Sequence, residues 1–114
     1  MAKLEQGSST ITSTGNTLII LNDDTIDIQK IVFLISHSST EVSTGFSDGT
    51  VNFTGNVGYG DTNMTKSITH YRNISGVKTK TFEGVISNLD IGEFTLNVTT
   101  CTQATQVKFL AYGS

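Results

Sequence analysis

The sequence predicts an all-β fold: an antiparallel β-sandwich of jelly-roll type preceded by an extended N-terminal arm. Short runs rich in β-branched and aromatic residues recur along the chain, as in Ile31-Val32-Phe33-Leu34-Ile35 and Phe94-Thr95-Leu96-Asn97-Val98. Clusters of Gly, Asn, Asp, Ser and Thr punctuate these runs at the spacing of short strands. No stretch carries the helical period. Together these features predict about seven to nine strands in two packed sheets.

Residues 1–16 read as the arm. Beyond Met1 they hold only Ala2, Leu4 and Ile11 as apolar side chains, among Gly7-Ser8-Ser9-Thr10 and Ser13-Thr14-Gly15-Asn16. Such a polar terminal segment is expected to project and to grip a neighbouring subunit, with Leu4 and Ile11 as its anchors. Residues 17–114 form the single sandwich domain. Leu18 to Leu21 is a short apolar strand, stopped by Asn22-Asp23-Asp24, whose side chains favour a turn. Ile28 to Ile35 is a second strand, apolar enough to be buried on both faces.

The strongest local signal follows. Glu41 to Ser47 and Thr50 to Tyr59 flank Asp48-Gly49, a dipeptide suited to a type I′ hairpin. A two-residue loop there sets Phe46 opposite Val51, Thr44 opposite Phe53 and Val42 opposite Gly55. Val51, Phe53, Val57 and Tyr59 then share one face, and Asn52, Thr54 and Asn56 the other. Lys66 to Arg72 is a further strand, turned through Asn73, Ser75 and Gly76 into Val77 to Ile86. Asp90-Ile91-Gly92 links Leu89 to Phe94, Leu96 and Val98. The last strand, Val107 to Tyr112, carries Val107, Phe109 and Ala111 on one face.

Composition narrows the function classes. At 114 residues the chain fits one domain. Charged residues are only 15% of the sequence, below the usual quarter, and Ser and Thr take their place. A net charge of −3, with scattered Lys residues and Arg72 the lone arginine, argues against a nucleic-acid partner. Lys78 and Lys80 form the one close pair and read as protection of a strand edge. No apolar run approaches the length of a membrane span, so no membrane partner is expected. The N-terminus has no apolar signal core, and Cys101 has no second cysteine to pair with. Synthesis in a reducing cytoplasm without a signal peptide fits both.

Residues that do chemistry are sparse. Asp23, Asp24 and Asp27 lack the alternating oxygens, glycine turn and distal carboxylate of a calcium loop. His37 and His70 have no zinc spacing and read as surface or hydrogen-bonded histidines. No Gly-x-Ser-x-Gly elbow accompanies the serines. Cys101 reads as a small apolar-like residue near a strand end. The sequons at Asn52, Asn63, Asn73 and Asn97 follow from a chain more than a quarter Ser and Thr. Neither a cofactor nor a catalytic residue is therefore expected. Tyr59, His70, Tyr71 and Arg72 are the one aromatic-plus-polar set suited to stacking on a sugar ring, a role weighed against plain packing on a sheet face.

Two segments carry a resemblance. The strand Ile31 to Ser36 leading to Gly45-Phe46-Ser47-Asp48-Gly49 resembles a "GF-x-D-G" hairpin of structural proteins of tailed phages and prophages. Gly92-Glu93-Phe94-Thr95-Leu96 with Leu110-Ala111-Tyr112-Gly113 is similar to their closing "G-F-T-L … LA-x-G" pattern, with Glu93 inserted. The likeness spans roughly residues 28–113. The closing half also looks like H-type lectin domains, trimeric sugar-binding β-sandwiches, although Leu110 stands where those carry an aromatic. The resemblance implies a virion structural protein made in the host cytoplasm and displayed on the virion surface. A homotrimer decorating a capsid, bound to a major capsid or tail protein, is the first expectation. A receptor- or glycan-binding tip of a tail or fibre is the alternative.

Overall fold

A computed structural model describes all residues from Met1 to Ser114 and contains ten strands and no helix. They are β1 (Lys3–Ile11), β2 (Gly15–Ile20), β3 (Ile28–Ser38), β4 (Glu41–Ser47), β5 (Asn52–Val57), β6 (Thr62–Asn63), β7 (Ile68–Ile74), β8 (Val77–Leu89), β9 (Glu93–Cys101) and β10 (Thr105–Gly113). Two antiparallel sheets pack as a sandwich, ordered β1-β10-β3-β4-β5-β6 and β2-β9-β8-β7. The terminal strands pair in a nested way, β1 with β10 and β2 with β9, which is the wrapping of a jelly roll. The inner strands run as two meanders, β3 to β6 and β7 to β9.

The expectation of a projecting arm is corrected by the pairing of β1. Residues 3–11 lie along β10 over their whole length, from Lys3 opposite Gly113 to Ile11 opposite Thr105, so the sandwich takes them in. The physical reason is the edge of β10, whose backbone donors and acceptors would otherwise stand open. A polar segment can fill that edge because pairing needs backbone groups rather than apolar side chains. Two side-chain features hold it in place. Ile11 is 3% exposed and belongs to the core, whereas Leu4 stays exposed. Gly7 lies over the Phe109 ring, where a Cβ would come within 2.6 Å of Phe109 Cζ.

The interior has two parts. Beneath β10, β3, β9 and β8 it is apolar: Ile31, Phe33, Ile35, Phe82, Phe94, Leu96 and Val107 are fully buried or nearly so. Phe94 meets Phe33 and Phe109 edge-on at 6.1 and 5.1 Å between ring centres. Beneath β4, β5 and β7 the interior is polar, holding Ser43, Ser47, Thr54, Ser67, Thr69 and His70. Small side chains let the sheets close up there, and a Cβ on Gly45 would collide with the Ser67 carbonyl oxygen. The β5 side chains stitch the gap by bonding to groups of the edge strand β7 and its approach. The Thr69 amide donates to Thr54 Oγ1 at 2.9 Å, Asn56 Nδ2 donates to the Thr69 carbonyl at 2.7 Å, and Ser67 Oγ donates to Asn52 Oδ1 at 2.9 Å.

The β4–β5 hairpin forms as expected, with its register shifted. Phe46 faces Phe53, Thr44 faces Gly55 and Val42 faces Val57. The central loop residues are Gly49 and Thr50, because Asp48 is drawn into the strand end. Its Oδ1 accepts from the Thr50 and Val51 amides at 2.9 and 2.6 Å, and its own amide donates to the Val51 carbonyl at 3.2 Å. Only Gly49, at φ +90°, takes a positive φ in this turn. The two faces of β5 hold the expected residues, but Asn52, Thr54 and Asn56 point inward, while Val51, Phe53 and Val57 are exposed.

Candidate functional site

The set Tyr59, His70, Tyr71 and Arg72 does not form one surface. A bulge in the β7–β8 pairing falls between His70 and Tyr71. His70 turns inward and is 0% exposed, whereas Tyr71 and Arg72 are half-buried. Arg72 Nε donates to Glu41 Oε2 at 2.8 Å. Tyr59 and Tyr71 meet edge-to-face at 6.2 Å. The Lys78 ammonium lies 5.4 Å from the Tyr59 ring centre and 4.6 Å from that of Tyr71, and pairs with Asp61. The two tyrosines therefore come together, with a cation already over them.

His70 joins a buried polar chain instead. Asn56 Nδ2 donates to Ser43 Oγ at 2.5 Å, Ser43 Oγ lies 2.5 Å from His70 Nδ1, and His70 Nε2 lies 2.9 Å from His37 Nδ1. The imidazole rings stack with centres 4.9 Å apart. With Ser43 donating to Nδ1, His70 carries its proton on Nε2 and donates to His37 Nδ1, which places the Ser43 and His70 protons in hydrogen bonds. Burial, and then the neighbouring His37 charge, push His70 from 6.5 down to about 4, with Glu41 opposing and Arg72 reinforcing. His37 is lowered as well, by burial first and then by Arg72. A neutral, buried histidine beside a fully buried serine ties the sheets together, with the exposed His37 at the outer end of the chain.

The other chemistry-bearing residues have structural partners. Cys101 Sγ lies 3.2 Å from the Gln103 carbonyl and 3.6 Å from that of Ile11, and Phe82 of β8 stands between Cys101 and His70 in the register. Asp23 accepts from the Thr25 hydroxyl and amide, which lowers its pKa and closes the turn after β2. Lys80 and Lys66 both approach Glu83, at 3.1 and 3.9 Å, and the hydrogen bond to Glu83 raises the Lys80 pKa. No group of three or more His, Cys, Asp or Glu side chains is placed to hold a metal ion.

Two surface features remain. The first is the outer face of the six-stranded sheet. One register row crosses five strands as Gln6, Leu110, Val32, Phe46 and Phe53. Leu110, Val32 and Phe53 are 40%, 44% and 41% exposed, large values for apolar side chains lying in a continuous row. Leu34 and Val57 extend it on one side and Leu4 on the other, and Val32, Leu34 and Leu110 line an open groove. The rows carry two charges, Lys30, which sits over Tyr112 at 4.4 Å, and Lys108. The apolar face of β5 named from the sequence contributes to this surface, but its outward direction was not legible.

The second feature is a polar cavity of about 120 Å³ between β5–β6 and β7, walled by Thr54, Asn56, Asp61, Asn63 and Tyr71 among others. Thr69 also lines it and is 3% exposed, with a buried hydroxyl that has no hydrogen-bond partner. No family model, curated protein or solved structure matches the chain.

Proposed function

We propose that this chain is a virion structural protein that acts by assembly, without catalysis, and docks a second copy of itself through the outer face of the six-stranded sheet. The observation that carries the reading is the outward row Leu110, Val32, Phe46 and Phe53. Isolated exposed apolar residues are ordinary, whereas a contiguous apolar sheet face marks an interaction surface. The occupant follows from charge. The face carries the cations Lys30 and Lys108 on a chain of net charge −3, so acidic surface elsewhere on another copy complements it. Pairing the same face to itself would set cation against cation. A head-to-tail contact avoids this, and when its rotation closes it generates a ring. A trimer on a capsid surface, seated on a major capsid or tail protein, is the simplest such assembly. The likeness of the β4–β5 hairpin and the closing strand to tailed-phage structural proteins supports the virion setting.

Light scattering of the purified chain tests this. The expected mass is about three times the 12.2 kDa of one chain, falling to one chain in Val32→Glu and Leu110→Glu. A monomeric parent chain, or an oligomer untouched by both substitutions, would overturn docking through this face.

A further inference from the structure

We infer that the surface of a second copy that seats in the groove of the outer face is the turn between β8 and β9, with Ile91 as its apolar centre. This deepens the head-to-tail docking proposed above and rests on it. The groove has a definite charge pattern. Three rows of the β3–β10 pairing follow one another on the outer face: Lys30 opposite Tyr112, Val32 opposite Leu110 and Leu34 opposite Lys108. An aliphatic patch thus lies between two cations, and neither lysine takes part in a salt bridge. The groove along this patch measures about 560 Å³, room for the tip of a turn rather than for a single methyl group.

The counterpart of such a groove is apolar at its centre, acidic around it and held still. Ile91 meets all three conditions. It is 58% exposed, yet the turn that carries it is bonded on both sides. The Gly92 amide donates to the Ile26 carbonyl at 2.7 Å, the Leu21 amide donates to the Gly92 carbonyl at 2.9 Å, and Ile91 itself bridges to Asp27. Gly92, at φ +73°, packs so closely on Asp24 that a Cβ would come within 2.6 Å of its Cα. A side chain presented from a fixed backbone loses little freedom on docking. Exposed Asp24, Asp27 and Asp90 and half-buried Glu93 adjoin the turn, and no Lys or Arg occurs in residues 21–29 or 84–107. These carboxylates form no salt bridge, whereas Glu41, Asp61 and Glu83 are each paired with a cation of the same chain. Acid, aliphatic, acid on the turn thus complements cation, aliphatic, cation on the face. The comparably exposed Val77 of the β7–β8 turn is followed by Lys78 and Lys80, which would set cation against cation.

The test sets Ile91→Lys beside the face variants and then mixes them. Light scattering should give one chain for Ile91→Lys, as for Val32→Glu, with a melting temperature like that of Val32→Glu because both side chains are already exposed. Asp24→Lys, which leaves Ile91 in place, should weaken assembly about tenfold. The Val32→Glu chain keeps its turn and the Ile91→Lys chain keeps its groove, so the two should bind each other in an NMR titration. Saturable shifts are expected at residues 30–34 and 108–112 of labelled Ile91→Lys, and at residues 24–27 and 90–93 of labelled Val32→Glu. If Ile91→Lys assembles like the parent while Val32→Glu and Leu110→Glu do not, the role of the turn is overturned and docking through the face stands. A mixture without saturable shifts, or with shifts of the Val32→Glu chain away from its turn, has the same meaning. A parent chain that is itself monomeric would sink both the turn and the face.

Discussion

His70 is the residue whose environment departs furthest from what its neighbours in the chain suggest. It directly precedes the half-buried pair Tyr71 and Arg72, yet the bulge before Tyr71 leaves it turned inward to Ser43 and His37. The charged and titratable groups that face it are His37, Glu41 and Arg72. Its folded-state pKa, about 4, lies below the 6.5 of the unfolded chain, so the folded protein binds fewer protons between those values. Stability is therefore full above pH 6.5 and falls as the pH drops toward 4, by up to about 3 kcal/mol from this group. Urea unfolding at pH 7 and pH 4.5 should show the loss, and His70→Gln should flatten it. A slope that persists in His70→Gln would place the titration elsewhere. Nothing in His70-Tyr71-Arg72 announces this role, because alternation along the strand is broken by a bulge that leaves Thr81 of the facing strand unpaired. Tyr59 and Tyr71 were legible only as members of the four-residue set, and their meeting under Lys78 depends on how the segment after β5 folds back against the β7–β8 hairpin.

Strand β1 shows how an element can be polar and still integral. Its alternating half-buried and exposed residues follow the pleat of β10 rather than any apolar pattern. Removing residues 1–11 should open the β10 edge and uncover Phe109 beside the missing Gly7. Loss of Ile11 alone deletes a buried aliphatic side chain, a change of about 2–5 kcal/mol in packed cores. The truncated chain is expected to melt far lower or to aggregate through the open edge, as read by calorimetry and light scattering. An unchanged melting temperature would mean that β1 is dispensable to the sandwich. The β4–β5 hairpin makes the complementary point. Its existence and the grouping of its faces were readable from Asp48-Gly49 and the alternation around it. Its register was not, since Asp48 caps the loop with its own carboxylate and moves the turn by one residue.

At the level of the whole molecule, the proposed docking through the apolar outer face predicts a stability that depends on protein concentration. A chain that folds and docks in one equilibrium melts at higher temperature as its concentration rises. The parent chain should show that rise across a hundredfold range, and Val32→Glu should not. As a monomer that variant should lose little stability, because Val32 is already 44% exposed. A melting temperature independent of concentration in the parent would count against self-docking. Local sequence is enough to specify the all-β class, the positions of most strands, the turns and the division of β5 into an apolar and a polar face. These depend on steric preferences and on a two-residue period, both of which operate within a few residues. Long-range pairing settles the rest: that β1 closes the sheet, that His70 is buried and that the polar face of β5 is the inner one. Those outcomes depend on which strand lies opposite. The edge strand β7 and its approach needed hydrogen-bond partners, Asn52, Thr54 and Asn56 supplied them, and Phe53 and Val57 were left facing outward.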